Sequence, residues 1–506
     1  MLPSLRGTAR CRAAGIPRRG WLPRLAALAV TLALPAAGLA AATLPAATLP
    51  AALPAAGTVG AARTGSPAAT LPRVGTIAGA AAFGGGAAPV PAVAGAPVIQ
   101  LQSPDPYSTA RCLATLKLRC YSPLQYRVAY DLNPLYRSGV TGKGRTIVIV
   151  DSFGSPTIGH DLAVFDRQWG LPDPPALDTL TMGKVPSFSP SNATMAGWAE
   201  ETTLDVEYAH AIAPGARILL VETPTAETEG VTGFPEMMNA EKYVIDRGLG
   251  DVISQSFGAT ENTFPGFGAG NGALQSLRYA FKDAASHGVS VLAASGDSGA
   301  TNDEPDGASL YPYRAVSWPS SDPLVTSVGG TQLLLAQDGN KIQPDEVWDD
   351  TYGAGGGGVS SVFSRPAYQD SVAPVTGGHR GAPDISMSAA VSGGCWVYAS
   401  FGPSGAGWEI LGGTSEATPM FAGIVALADQ LARHRLGDIQ QPLYALGAAS
   451  RGTGGPSRTG IVDVTAGNNT YGPVTGYAAT PGYDLASGWG TIDAARFVQA
   501  LVRASR

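Results

Sequence analysis

The chain has 506 residues, 44% of them hydrophobic and only 14% charged, with 66 Gly and 40 Pro, a balance that excludes long helical bundles and coiled coils. A formal charge of −6, from 33 Lys and Arg against 39 Asp and Glu, leaves no basic cluster beyond the N-terminus to follow a phosphate backbone, so nucleic acid is excluded as a partner. Four Cys, with no paired CxxC and no HxxxH, exclude a disulfide scaffold and a structural zinc site.

Arg6, Arg10, Arg12, Arg18, Arg19 and Arg24 precede an uncharged apolar stretch from Leu25 to Ala41 that ends in small residues. This is the layout of a secretory signal over residues 1–41, and Arg18-Arg19 also resembles a twin-arginine export signal. Pro35 and Gly38 interrupt a stretch already short for about 30 Å of hydrocarbon, so cleavage is expected rather than anchoring. The expectation is a secreted, extracellular protein with no stable membrane partner. Residues 42–98 repeat ATLPAATLPAALPAA and continue through Gly, Ala, Pro and Thr; such a tract cannot build a core and reads as a linker or vestigial pro-region. Composition becomes ordinary near Ile99, so residues 99–506 are expected to form the folded domain. Cys112 and Cys120 lie close enough to close a small disulfide loop in an oxidising compartment, Cys11 would leave with the signal, and Cys395 is left as a buried thiol.

Arg145-Thr-Ile-Val-Ile-Val-Asp151 is a continuous β-branched run, as in a parallel strand buried on both faces. Trp198 to Ala211 has helix length, Asp251 to Ser254 reads as a second buried strand, Asn271 to Gly288 as a helix, and Val289 to Ala294 as a third strand. Strands alternating with helices predict an α/β fold, a mainly parallel sheet with helices on both faces. In such sheets ligands sit beyond the carboxyl ends of the strands, where Asp151 and Asp297 stand. Pro419 suits a first helical turn, so the run from Met420 predicts a helix entered through Gly412-Gly413-Thr414-Ser415.

Three strings carry chemistry. Ser415, just ahead of that helix, would hold its hydroxyl near free backbone N–H groups, which suits a nucleophile that generates an oxyanion; a plain helix cap is the commoner role for a serine there. Glu201 and Asp205 are i and i+4 on one helical face, so if buried they would share a proton; a solvated acidic face is the alternative. Gly296-Asp297-Ser298-Gly299 ends a buried strand and is not the GDSG of an all-β peptidase, since no histidine stands in the context that such a site needs. Neither His160, His210, His287, His379 nor His434 opens a helix as a subtilisin-like triad requires; His210 reads as a packed residue and Asp151 as structural or part of the cleft rim.

Taken together these strings resemble the sedolisin family, the serine-carboxyl peptidases, whose fold is subtilisin-like but whose base is a Glu. The resemblance runs through Tyr121 to Tyr130, Gly139 to Gly144, Glu201-Thr-Thr-Leu-Asp205, Ala209 to Gly215, Ser295 to Ala300, Gly356 to Ser360 and Gly413-Thr-Ser415, about four-fifths of the chain. It implies a three-layer α/β fold with Ser415 as nucleophile, Glu201 as base, Asp205 supporting the base and Asp297 as the oxyanion-hole carboxyl. It further implies polypeptide substrates, an acidic working pH, a monomer, and cleavage as an endopeptidase or tripeptidyl-peptidase. One structural calcium ion is implied on Asp463 and Asp484 with the carbonyls of Val464, Thr480 and Gly482, Thr480 replacing the family's Gly. Two positions depart further: the low-complexity tract stands where the family has a folded pro-segment, and Phe257 stands where many relatives have Trp. The competing reading is a catalytically silent exported binding or surface protein on the same fold; retention of Ser415, Glu201, Asp205 and Asp297 argues against it.

Overall fold

A computed structural model describes residues 99–101, 103–402, 405–450 and 458–506. The expected signal and low-complexity tract, Cys11 among them, lie outside the described residues.

In chain order the elements used below are β1 (Ile99–Leu101), β2 (Thr146–Ser152), α1 (Ile158–Trp169), β3 (Leu177–Thr181), α2 (Ala193–Ile212), β4 (Arg217–Thr223), α3 (Phe234–Asp246), β5 (Val252–Gln255), α4 (Tyr279–His287), β6 (Ser290–Ala294), β7 (Thr326–Gln332), β8 (Glu346–Val347), β9 (Ile385–Ser388), β10 (Gly394–Ala399), β11 (Gly407–Leu411), α5 (Thr414–Ala432) and α6 (Ala494–Ala504). The main sheet runs β8-β7-β6-β5-β2-β4-β3, with β9 also paired to β7. Only β8 is antiparallel to its neighbour.

The β-branched run of β2 shows why the sheet is buried on both sides. Ile147 and Ile149 join the apolar cluster that holds α2, α5 and α6, while Val148 and Val150 join the opposite cluster with Phe234, Met237 and Phe281 of α3 and α4. Alternate side chains of a strand point to opposite faces, so one short apolar run supplies both cores. This is the three-layer α/β, subtilisin-like arrangement. Among the described residues no helix is long and apolar enough to cross a membrane.

A second sheet pairs β1 with β11, β11 with β10, and β10 with Cys120–Tyr121. Cys112 and Cys120 form a disulfide at its edge, and Cys395 is a buried free thiol. Two elements differ from the sequence reading. The stretch 271–288 is two helices, Gly272–Leu277 and α4, which meet at Arg278 (φ −69°, ψ 0°), whose guanidinium binds buried Asp322 at 2.6 and 2.9 Å. The helix predicted over 198–211 starts earlier, at Ala193, where the Asn192 side chain accepts the Met195 N–H.

Candidate active site

β11 leads through Gly412-Gly413 into α5. Gly413 sits at φ +109°, and a Cβ there would lie 2.6 Å from Asp297 Oδ2, so the turn has room only for glycine. Contrary to the sequence reading, α5 does not start at Pro419; it starts at Thr414, which places Ser415 inside the first turn and Pro419 inside the helix. Asp297 makes the early start possible by accepting the Thr414 N–H from outside the helix. The cap residue is Gly413, not Ser415, so the serine hydroxyl is not spent on capping. Of the first-turn N–H groups, that of Thr414 is taken by Asp297 and that of Glu416 by the Gly413 carbonyl, which leaves the N–H of Ser415 itself beside its hydroxyl.

α5 packs against α2, which carries Glu201 and Asp205 one turn apart. Ser415 and Asp205 are fully buried and Glu201 is 2% exposed, so the solvated acidic face is ruled out for this pair. The Ser415 hydroxyl lies against Glu201 and favours its ionised form. Neither Ser415 Oγ nor Glu201 Oε1 makes a hydrogen bond of ordinary length, which leaves the serine oxygen unengaged. Asp205 Oδ1 accepts the Ser256 hydroxyl at 2.8 Å, and its Oδ2 is buried without a partner. Burial, then the charges of Asp151, Asp297 and Glu200, push Glu201 well above the usual carboxyl range; burial, Asp151 and Glu201 do the same to Asp205. Carboxyls stacked in this way hold protons that a solvated pair would release.

Two neighbours were not read into the site from sequence. Asp151, expected as structural or part of the cleft rim, is fully buried at the end of β2, which fits the first of these; it is raised to about 7 by its burial and acts on both Glu201 and Asp205. Its position at the carboxyl end of a buried strand was the available signal. Thr414 is the second: its N–H and hydroxyl donate to Asp297 Oδ1 at 2.7 and 2.8 Å, while its oxygen accepts the Gly296 N–H at 3.1 Å. Burial raises Asp297 to about 7 against the lowering effect of those two bonds. Asp297 and Ser415 are therefore joined through Thr414, and Ser415 faces Glu201.

His210 is packed, as expected: it is fully buried, with Nε2 2.8 Å from the Pro172 carbonyl oxygen and 3.2 Å from Asp166. Phe257 is buried beside Phe234 in apolar surroundings. The residues named for calcium share one loop cluster. Asp463 Oδ2 accepts the Gly482 N–H at 2.8 Å, Asp484 Oδ2 accepts the Thr480 N–H at 2.8 Å, and Asp484 Oδ1 accepts from Ala486 and Ser487. Asp463 Oδ1 is buried with no hydrogen-bond partner. Among the described residues no three His, Cys, Asp or Glu side chains converge, so an ion here would take most of its ligands from backbone carbonyls.

The subtilase family model matches residues 192–441, which include α2, the Asp297 loop and Ser415. Kumamolisin of Bacillus sp. (strain MN-32) is 30% identical over 396 residues, 76% of this chain and 64% of the relative. Sedolisin of Pseudomonas sp. (strain 101) is 30% identical over 409 residues, 79% of this chain and 64% of the relative. The solved structure of Pseudomonas sedolisin, a serine-carboxyl proteinase complexed with two molecules of pseudo-iodotyrostatin, superposes with a TM-score of 0.63 at 28% identity over 76% of this chain and 98% of that one. The chain is similar to sedolisins over most of its folded part. It spans 64% of the length of each of these curated relatives. That similarity agrees with a buried carboxyl pair on a subtilisin-like frame.

Proposed function

We propose that this chain is a secreted, acid-acting serine-carboxyl peptidase that hydrolyses polypeptides, as an endopeptidase or tripeptidyl-peptidase, through an acyl-enzyme on Ser415. The observation that carries this reading is an unengaged Ser415 hydroxyl, in the first turn of a helix, facing a buried carboxyl pair with no histidine beside it. Glu201 takes the Ser415 proton as the oxygen attacks a peptide carbonyl, and Asp205, held by Ser256, orients Glu201 and shares its proton. The departing amine receives the proton from Glu201. Water then attacks the ester as Glu201 takes its proton, the ester bond to Ser415 breaks as Glu201 returns that proton to the serine oxygen, and the acid product leaves.

The oxyanion meets Asp297 and the Ser415 N–H, the first-turn donor that remains with the Thr414 and Glu416 N–H groups engaged by Asp297 and the Gly413 carbonyl. An ionised Asp297 would repel that charge, so the residue helps only while neutral; its value of about 7 keeps it protonated at acidic pH. Asp463, Val464, Thr480, Gly482 and Asp484 fit one calcium ion: the donors are hard oxygens and Asp463 Oδ1 is an orphaned buried acceptor. The ion would tie the 463 and 480–484 segments together and takes no part in the reaction. Residues 1–41 as export signal, 42–98 as linker and 99–506 as a monomeric catalytic domain complete the proposal. Incubating the purified protein with a denatured protein at pH 3 to 8 and sequencing the products tests it. Fragments formed at acidic pH support the reading, and no cleavage at any pH leaves the silent binding protein.

A further inference from the structure

Two loops at the carboxyl ends of β4 and β6 bring together three acidic residues that the mechanism does not use, and one of them, Glu227, feels the charge of Glu201. Between β4 and α3 the chain turns through residues 224–233, closed by Gly233 at φ +81°. A Cβ on Gly233 would lie 2.6 Å from Glu227 Cα and from the Ala226 carbonyl oxygen, so the loop is packed onto its own backbone at Glu227. Glu229 fastens the loop, accepting the Thr260 N–H at 3.0 Å and the Thr263 hydroxyl at 2.8 Å, and the Gly230 N–H donates to Thr263 Oγ1 at 2.9 Å. The Thr260 hydroxyl in turn donates to the Asp303 carbonyl at 2.7 Å, joining the loop that follows β6 and carries Asp297.

Glu227 is 2% exposed and its Oε2 has no hydrogen-bond partner. Its carboxyl faces those of Glu229, Asp303 and Glu201. No Lys, Arg or His is among the groups that act on these three: burial, one another, Glu201 and Asp306 raise them, and the Thr263 and Thr260 bonds lower Glu229. A buried carboxyl oxygen with no donor is costly in a folded protein, and the donor it lacks here is one that a ligand can bring. A bare metal ion does not suit the spacing, since no three acidic side chains among the described residues converge on one point. An ammonium or guanidinium group carries several N–H donors on one charge and can span separate carboxyls.

We propose that Glu227, Glu229 and Asp303 form a substrate subsite next to Ser415 and Glu201 that receives a cationic nitrogen of the peptide, carried by a Lys or Arg side chain or by the α-amino group. The subsite rests on the peptidase reading of Ser415 and Glu201. In the free protein, burial and the charge of Asp306 hold Asp303 up at about 6, and burial and the charge of Asp303 hold Glu229 at about 8. An entering cation favours the ionised carboxyl, and the proton it displaces goes to solvent. Gln and Asn match the neutral acids in shape, so Glu227→Gln and Asp303→Asn remove the charge with little change in packing.

The test uses matched peptides that carry Lys or norleucine at each position around the cleaved bond, each with a free and an acetylated N-terminus, and the full-length protein. The wild-type kcat/KM is expected to favour one cationic form by about tenfold, and this ratio is expected to fall toward one in Glu227→Gln and in Asp303→Asn. Sensitivity to acetylation assigns the site to the α-amino group; sensitivity to Lys assigns it to the side chain. Calorimetric binding of the same peptides to Ser415→Ala separates the two readings. Cationic preference in binding that Glu227→Gln removes, without hydrolysis by wild type, keeps the subsite and rejects the peptidase. Ratios near one in wild type, or unchanged in both variants while their melting temperatures match wild type, overturn the subsite.

Discussion

Asp297 Oδ1 accepts both the N–H and the hydroxyl of Thr414, at 2.7 and 2.8 Å, and so turns Oδ2 toward the space that a side chain at position 413 would fill. One residue thereby starts the helix that carries Ser415 and holds a carboxyl whose unbonded oxygen is placed to carry a proton. Burial raises Asp297 to about 7, so it is neutral below that pH and charged above it.

On the proposed mechanism, activity falls as pH rises through about 7 because Asp297 loses its proton. Asn donates a hydrogen bond at every pH, so Asp297→Asn is expected to keep measurable kcat/KM and to lose this alkaline limb. Asp297→Ala is expected to lower turnover by about 10²–10³. Profiles of both variants and wild type on one peptide from pH 3 to 8 check this; an unmoved alkaline limb in an active Asn variant assigns the limb to another group.

Thr414→Val tests the same relationship from the other partner. Removing the hydroxyl removes a bond that lowers Asp297, so the alkaline limb is expected to move to higher pH. The Gly296 N–H loses its acceptor in the same variant, which is expected to cost about 1–3 kcal/mol in thermal or denaturant unfolding. A limb that moves to lower pH would contradict the assignment.

Much of this arrangement was legible in the sequence, and the gaps have physical causes. The runs at 145–151 and 289–294 announce the parallel sheet because β-branched residues on both faces have few other homes. Glu201 with Asp205 and Gly413-Thr-Ser415 are local patterns and could be read directly. The start of α5 could not: its first donor is capped by Asp297, 117 residues away in sequence, and Pro419 drew the predicted boundary inward. Asp151 could be read only as structural or part of the cleft rim, because its burial beside the carboxyl pair depends on how the layers pack. Gathering Glu227, Glu229 and Asp303 needs the Thr260 bonds, which no spacing rule contains.

Acid stability is the next expectation. Burial raises Asp151 and Asp429 to about 7, and Glu241 and Glu409 to about 8. In the unfolded chain such groups titrate near 4, so the unfolded state releases protons first as pH rises. The stability that depends on their being neutral is whole below about pH 4 and is lost as pH rises through about 7 to 8. Calorimetric melting temperatures are expected to be higher at pH 4 than at pH 8; the reverse order would contradict the buried, protonated state of these groups.

Calcium is expected to raise the melting temperature of chelator-stripped protein. Binding to the native state alone contributes RT ln(1 + [L]/Kd), about 2.7 kcal/mol at a hundredfold excess over Kd. Asp484 also accepts N–H groups of its own turn, so Asp484→Ala destabilises with or without an ion. Asp463→Ala is the cleaner variant, because it removes the orphaned Oδ1, and its melting temperature is expected to stop responding to calcium. A wild-type melting curve that calcium leaves unchanged rejects the site.

The most direct measurement is hydrolysis of one denatured protein at acidic pH by wild type and by Ser415→Ala, with circular dichroism to compare their folds. Ser415 is fully buried, its Oγ has no hydrogen-bond partner, and the substitution removes that oxygen without opening a large cavity. The expected result is a variant with the wild-type spectrum and no cleavage above background. A folded Ser415→Ala protein that keeps most of the wild-type rate would show that Ser415 is not the nucleophile and that the carboxyl pair beside it does other work.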